Sequence, residues 1–225
     1  MEKKYLIGII AAVAVIAIFV ATLVYYSNVI EEGYHYTYQG ADGSDYSFDV
    51  VRLEGINGLF HKAYFSLGRD DGKIYKYYTM FRNSPMDLEQ IPLEKVSSDI
   101  LYNKDEKKKQ IYVTQNPGLP SESGKISSLA VLDITKITGS MGGVTIFGVP
   151  TKMAFTSLTP DMEGTEIKEI DCSDASDDTG VILLRIGDAN KIYRENENCV
   201  ILEAKSYADI TKVSDKFVMH LIGIF

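Results

Sequence analysis

From Leu6 to Tyr26 the chain carries no charged side chain, and that run constrains every other reading. A helix over it rises roughly 32 Å, enough for the ~30 Å hydrocarbon core of a bilayer. Ile, Val, Leu, Phe and Ala fill the run on every side, so a helix here has no polar face to turn to water. Nothing comparable recurs later in the chain to serve as an apolar partner. Lys3 and Lys4 precede the run, while Glu31 and Glu32 follow it. Basic flanks stay cytoplasmic, so the expectation is a single span with a cytoplasmic N-terminus and the remainder of the chain outside. Tyr5 at one end, with Tyr25 and Tyr26 at the other, matches the aromatic belts of the two interfaces.

A cleaved signal peptide is the rival reading. Its apolar stretch is shorter and ends in an A-x-A-like site, whereas this run exits through Tyr25-Tyr26-Ser27-Asn28. Ala14, Ala17 and Ala21 form a stripe of small residues, a seam along which a partner helix can approach. The expected organisation is therefore a tail and anchor over 1–30 and an extracytoplasmic domain over 31–225, with a sub-boundary expected near 83–110.

Leaving out Glu2, Lys3 and Lys4, the outer part holds 21 basic against 30 acidic residues. That balance repels phosphate polymers and excludes nucleic acid as the expected partner. The Lys107-Lys108-Lys109 run follows Asp105 and Glu106 and reads as a solvated turn. Cys172 and Cys199 are the chain's two cysteines. In an oxidising compartment such a pair is expected to form a disulfide, closing a loop worth about 3.5 kcal/mol in the chain-entropy model.

Gly33 to Phe81 reads as antiparallel sheet. Tyr34–Tyr38 and Tyr46–Leu53 flank turn chemistry at Ala41–Asp45, and Lys62–Leu67 and Ile74–Met80 flank Arg69–Gly72. Tyrosines crowd these hairpins, either as a core face or as an exposed face for sugar or protein. Ser84-Pro85 opens a short helix that Pro92 ends. Ile111–Thr114 is a strand, and Ile126, Leu129, Ala130, Leu132 and Ile137 keep helical spacing over 125–138. Val144–Phe147 and Thr151–Thr156 return to strand character. Val181–Ile186 is a continuous apolar run, as in a strand covered on both faces. Cys199–Glu203 is another strand. Ile210, Val213, Phe217, Leu221 and Ile224 place one apolar face on a last helix over 206–223, with Ser206 and Asp209 as a capping pair. The expected fold class is α+β, β-rich, behind a transmembrane helix.

Lys109–Pro117, and Cys199–Lys205 leading into Ile210–Gly223, resemble archaeal single-span membrane-anchored surface proteins of the envelope. The resemblance implies an extracytoplasmic site and brings no named catalytic motif. Heavily glycosylated surface-layer proteins differ in one respect, because no Asn-x-Ser/Thr acceptor occurs in this chain.

Catalytic spacing is sparse. His35, His61 and His220 fall in three separate elements, with no His-Glu-x-x-His. Gly139-Ser140-Met141-Gly142-Gly143 does not match the Gly-x-Ser-x-Gly elbow and reads as a loop. Asp171, Asp174, Asp177 and Asp178 form the one candidate ligand set; hard oxygens in a loop suit calcium, although the spacing departs from the EF-hand register. No other cofactor is expected. The expected function is a non-enzymatic binding or interaction protein of the cell envelope, its partners the bilayer through 6–26 and a protein or envelope polymer. An accessory subunit of a membrane complex and an extracytoplasmic hydrolase are the alternatives.

Overall fold

A computed structural model describes residues 33–53, 58–68, 72–103, 106–117, 121–141, 144–162 and 164–225. The apolar run with Leu6 and Tyr26 lies outside the described residues. Among those described, no helix is long and apolar enough to cross a membrane. The architecture is mixed α+β, with two main sheets and few helices.

The first sheet is a meander of β1 (His35–Gln39), β2 (Asp45–Arg52), β3 (Leu59–Gly68) and β4 (Ile74–Phe81), hydrogen-bonded in that order. Both expected hairpins are present. The register pairs Phe48 with Ala63 and Ala63 with Thr79, so the period-two pattern puts Phe48, Ala63, Phe65 and Phe81 on one buried face. At the first turn Gly43 takes φ +80°, and the Asp42 carboxylate accepts the Ser44 N–H at 2.9 Å. Ser84 caps α1 (Pro85–Leu88): its hydroxyl accepts the Asp87 N–H at 3.2 Å and donates to the Asp87 carboxylate at 2.6 Å.

The second sheet has six strands, and its topology is not the antiparallel one of the first. Its members are β5 (Gln110–Gln115), β6 (Thr151–Phe155), β7 (Lys168–Glu169), β8 (Thr179–Ile186), β9 (Lys191–Asn196) and β10 (Cys199–Ala204), in the order β7-β6-β5-β8-β10-β9. All neighbours run parallel except β9 against β10. Val181–Ile186 sits in β8, between two parallel partners, as a continuous apolar run requires. Residues 92–94 lie along the outer edge of β9, with the Ile192 N–H donating to the Pro92 carbonyl at 2.9 Å.

Between β5 and β6 runs α2 (Ser121–Thr138), the helix expected at 125–138 with one more turn at its start. The return from β6 to β8 passes to the other side of β5, so a right-handed connection must use the opposite face of the sheet. Residues 156–178 do this. The Thr114 hydroxyl donates to the Ile170 carbonyl at 2.7 Å, and Lys168 Nζ lies 5.7 Å from the Tyr112 ring centroid, both on the face away from Ile111 and Val113. The Cys172–Cys199 disulfide, Cα–Cα 5.4 Å, pins this crossing segment to the start of β10.

The last helix, α3 (Ile210–Leu221), follows a 3-10 turn at Tyr207–Asp209 and closes at Gly223, φ +93°. The Ser206 hydroxyl donates to the Asp209 carboxylate at 2.7 Å, but no side chain caps the backbone there. The single apolar face expected for this helix is a correction to make, because Val213 through Leu221 are all buried. Helix α3 packs on β10 and α2, α1 lies against it, and the meander closes over the remaining side. The solvent contact of α3 is confined to the first turn at Thr211 and Lys212, and two of its buried polar residues find carbonyl partners. Lys216 Nζ donates to the Leu88 and Glu89 carbonyls at 2.9 and 3.2 Å. The two ring nitrogens of His220 face the Phe225 and Lys95 carbonyls, each at 2.7 Å. One hydrophobic cluster joins residues on both sides of 83–110, from Phe48 and Phe81 to Ile182 and Phe217.

Two further expectations change. The strand expected at Val144–Phe147 is shorter: Val144–Thr145 pairs with Ser140–Met141 in a small two-stranded sheet apart from the two main ones. The Lys107–Lys109 run is not wholly solvated, since Lys108 is 2% exposed. Its ammonium donates to the Ser176 and Asp177 carbonyls, both at 3.1 Å, and to Asn198 Oδ1 at 2.6 Å.

Candidate functional site, a cleft between the meander and helix α2

At the end of the meander the chain leaves β4 through Arg82 and Asn83. Three donors there converge on one oxygen of the buried Asp215: the Arg82 and Asn83 backbone N–H groups, each at 3.0 Å, and the Asn83 side-chain amide at 2.8 Å. Burial pushes the Asp215 carboxyl up to about 7, with the nearby Asp133 charge in the same direction and the Asn83 hydrogen bonds opposing. Held in this way, Arg82 points its guanidinium to the Asp133 carboxylate on α2, with which it forms a short hydrogen-bonded ion pair. The guanidinium carbon also lies 5.8 Å from the Phe60 ring centroid. Burial raises the Asp133 carboxyl above the ordinary carboxylate range, against the pull of Arg82 and Lys136.

The pair lies in a cleft of about 640 Å3 lined by Leu53, Gly58, Leu59, Phe60 and Met80 of the meander, by Arg82, and by Leu129, Asp133 and Lys136 of α2. Leu59 and Leu129 are 45% and 41% exposed, an open apolar wall on either side of the charged floor. Apolar walls around a few convergent polar groups, with a shifted carboxyl among them, are the general form of a small-molecule site.

Two other concavities fit that form less well. A crevice at the carboxyl ends of β5 and β8, where the strand order reverses, is where open α/β sheets bind ligands. Here it measures about 160 Å3, because Gln115 and Ser127 hydrogen-bond across it. At the opposite end of the sheet a cleft of about 630 Å3 is lined by Asp99, Tyr102, Asn103, Asp177, Arg194, Glu197 and Asn198. Its one guanidinium is already held by the Asn196 and Glu197 carbonyls, with Asp99 at 3.8 Å.

Of the four aspartates read as a calcium set, Asp171 and Asp174 share a capping box, while Asp177 and Asp178 have other surroundings. Asp171 accepts the Ser173 N–H at 2.7 Å and its hydroxyl at 2.6 Å, and Asp174 accepts the Asp171 N–H at 2.8 Å. Asp178 pairs with Lys109 at 2.7 Å, and Asp177 faces the polar cleft. Among the described residues no three metal-ligating side chains come together. The histidines do not converge either: His35 meets Asp49 at 2.9 Å, and His61 meets the Tyr36 hydroxyl at 3.0 Å. The tyrosines divide between both faces of the meander. Tyr36, Tyr38, Tyr46 and Tyr77 pack on the core. Tyr64 and Tyr78 face outward with Lys62 Nζ over their rings, at 5.0 and 4.3 Å.

Sequence reasoning missed Arg82, Asp133 and Lys136. Asp133 sits one position off the apolar stripe of its helix, three before Lys136, and that spacing looks like any solvated i,i+3 pair. No family model, curated protein or solved structure matches the chain.

Proposed function

We propose that the chain is a single-span, extracytoplasmic binding protein of the cell envelope, its N-terminus cytoplasmic, which holds its ligand in the cleft between the meander and α2. The observation that carries the binding half is the Arg82–Asp133 pair, set between apolar walls and backed by the buried Asp215. The Cys172–Cys199 bridge supports the address, since disulfides persist outside the reducing cytosol. The uncharged run from Leu6 to Tyr26 supports the tether.

One observation favours a second reading, a hydrolase. Asp133 and Asp215 are two interacting carboxyls that both hold protons more tightly than usual. Against it, Asp215 is fully buried behind the Arg82 backbone, and Asp133 is committed to Arg82. Binding is the better account.

Native mass spectrometry of the full chain, extracted from its own membranes, tests the reading. A bound small molecule is expected on the wild type and is expected to be lost from Leu129→Asp, which puts a charge on an exposed wall residue. An adduct that survives Leu129→Asp unchanged places the ligand elsewhere.

A further inference from the structure

We infer that the cleft selects a single-chain amphiphile with a carboxylate head, an inference that rests on the binding reading above. Among the described residues, two cations, Arg82 and Lys136, face one cleft carboxylate, Asp133. The balance of those side chains is positive in a domain that is acidic as a whole. Asp215 does not change that balance at the surface, because it is buried and spends its oxygen on the Arg82 and Asn83 donors.

The chemistry of the pair explains why a carboxylate is the fitting head. A guanidinium partly withdrawn from water needs a counter-ion, and Asp133 supplies an internal one. A ligand carboxylate offers Arg82 the same planar two-oxygen acceptor and takes that place, while Lys136 adds a second positive contact at the rim. Leu59, Phe60 and Leu129 then cover an alkyl chain, a gain proportional to the apolar area removed from water. A volume of about 640 Å3 suits one chain and its head. The inferred ligand is therefore a free fatty-acid-like monocarboxylate and not a membrane phospholipid.

The test uses the full chain in nanodiscs and a decanoic acid carrying a diazirine. Photolysis is expected to label peptides containing Leu59 and Leu129. Decanoate is expected to compete, while decanol and decyltrimethylammonium are not. Lys136→Ala is expected to weaken decanoate competition about fivefold, as for a partly exposed ion pair. Arg82→Gln is expected to weaken it about tenfold or more, as for a charge-assisted hydrogen bond. Asp133→Asn is expected to strengthen it, because the internal competitor is neutralised. Equal competition by decanol, or by dioctanoyl phosphatidic acid, overturns the head-group inference and leaves the cleft as a binding site. Weakening by Asp133→Asn to the level of Arg82→Gln also overturns it, since the pair is then structural. No labelling of the cleft by any amphiphile overturns the inference, whereas the binding reading falls only if the native mass spectrum shows no adduct that Leu129→Asp removes.

Discussion

The Asp215 carboxylate accepts the Arg82 backbone N–H at 3.0 Å, joining the central helix to the end of the meander across 133 positions of sequence. That contact and the two from Asn83 fix the corner from which Arg82 reaches Asp133. Removing the acceptor orphans three donors at once. Asp215→Ala is expected to cost about 3 kcal/mol or more, read from chemical denaturation. Asp215→Asn keeps one carbonyl oxygen and is expected to cost less. Equal, small losses in both variants would mean that the corner is held by packing alone.

The same carboxyl gives stability a pH dependence with a definite sign. Its proton is held up to about 7 in the folded chain, against roughly 4 when unfolded. Between those values the folded state binds more protons than the unfolded state. The contribution is therefore fully present below about pH 4 and lost as pH rises through about 7, to a limit of roughly 4 kcal/mol. Urea unfolding of the wild type from pH 4.5 to 8 is expected to show this decline, and Asp215→Asn is expected to flatten it. A wild-type profile no steeper than the variant's would exclude Asp215 as its source.

Neighbouring lysines are expected to behave differently. Lys108→Met leaves two carbonyls and the Asn198 amide oxygen without their shared donor, at a cost of about 2 kcal/mol. Lys109, paired with Asp178 in solvent, is expected to leave stability nearly unchanged on replacement by Ala. Thermal melts of the two variants side by side check the contrast.

Opening the disulfide is expected to destabilise the fold by about 3.5 kcal/mol, from the entropy regained by the loop it closes. The loosened part is the crossing segment 156–178, which Cys172 ties to β10. Limited proteolysis of Cys172→Ser/Cys199→Ser is expected to cut there first. Cleavage that begins in the meander instead would show that the bridge does not hold the crossing.

What the sequence made legible follows the strength of its periods. The meander was readable because Phe48, Ala63 and Phe65 alternate with more polar neighbours and the turns carry Asp and Gly. Helix α2 was readable from Ile126 to Ile137. The parallel order of the second sheet was not, because short apolar runs such as Val181–Ile186 and Cys199–Ala204 fix burial but not neighbours. The all-round burial of α3 was hidden by Asp215, Lys216 and His220, which look solvent-facing until the carbonyls and N–H groups opposite them are in place. The cleft was invisible for a related reason. Arg82 and Asp133 are 51 positions apart, and only the packing of α2 against the meander brings them together.

The central claim is a domain outside the cell on a tether whose tail stays inside. Labelling intact cells with a membrane-impermeant amine reagent tests both halves in one experiment. The exposed Lys76 and Lys152 are expected to react as fully in intact as in opened cells, and Lys3 and Lys4 only after opening. Lys76 and Lys152 protected until the cells are broken would contradict the account.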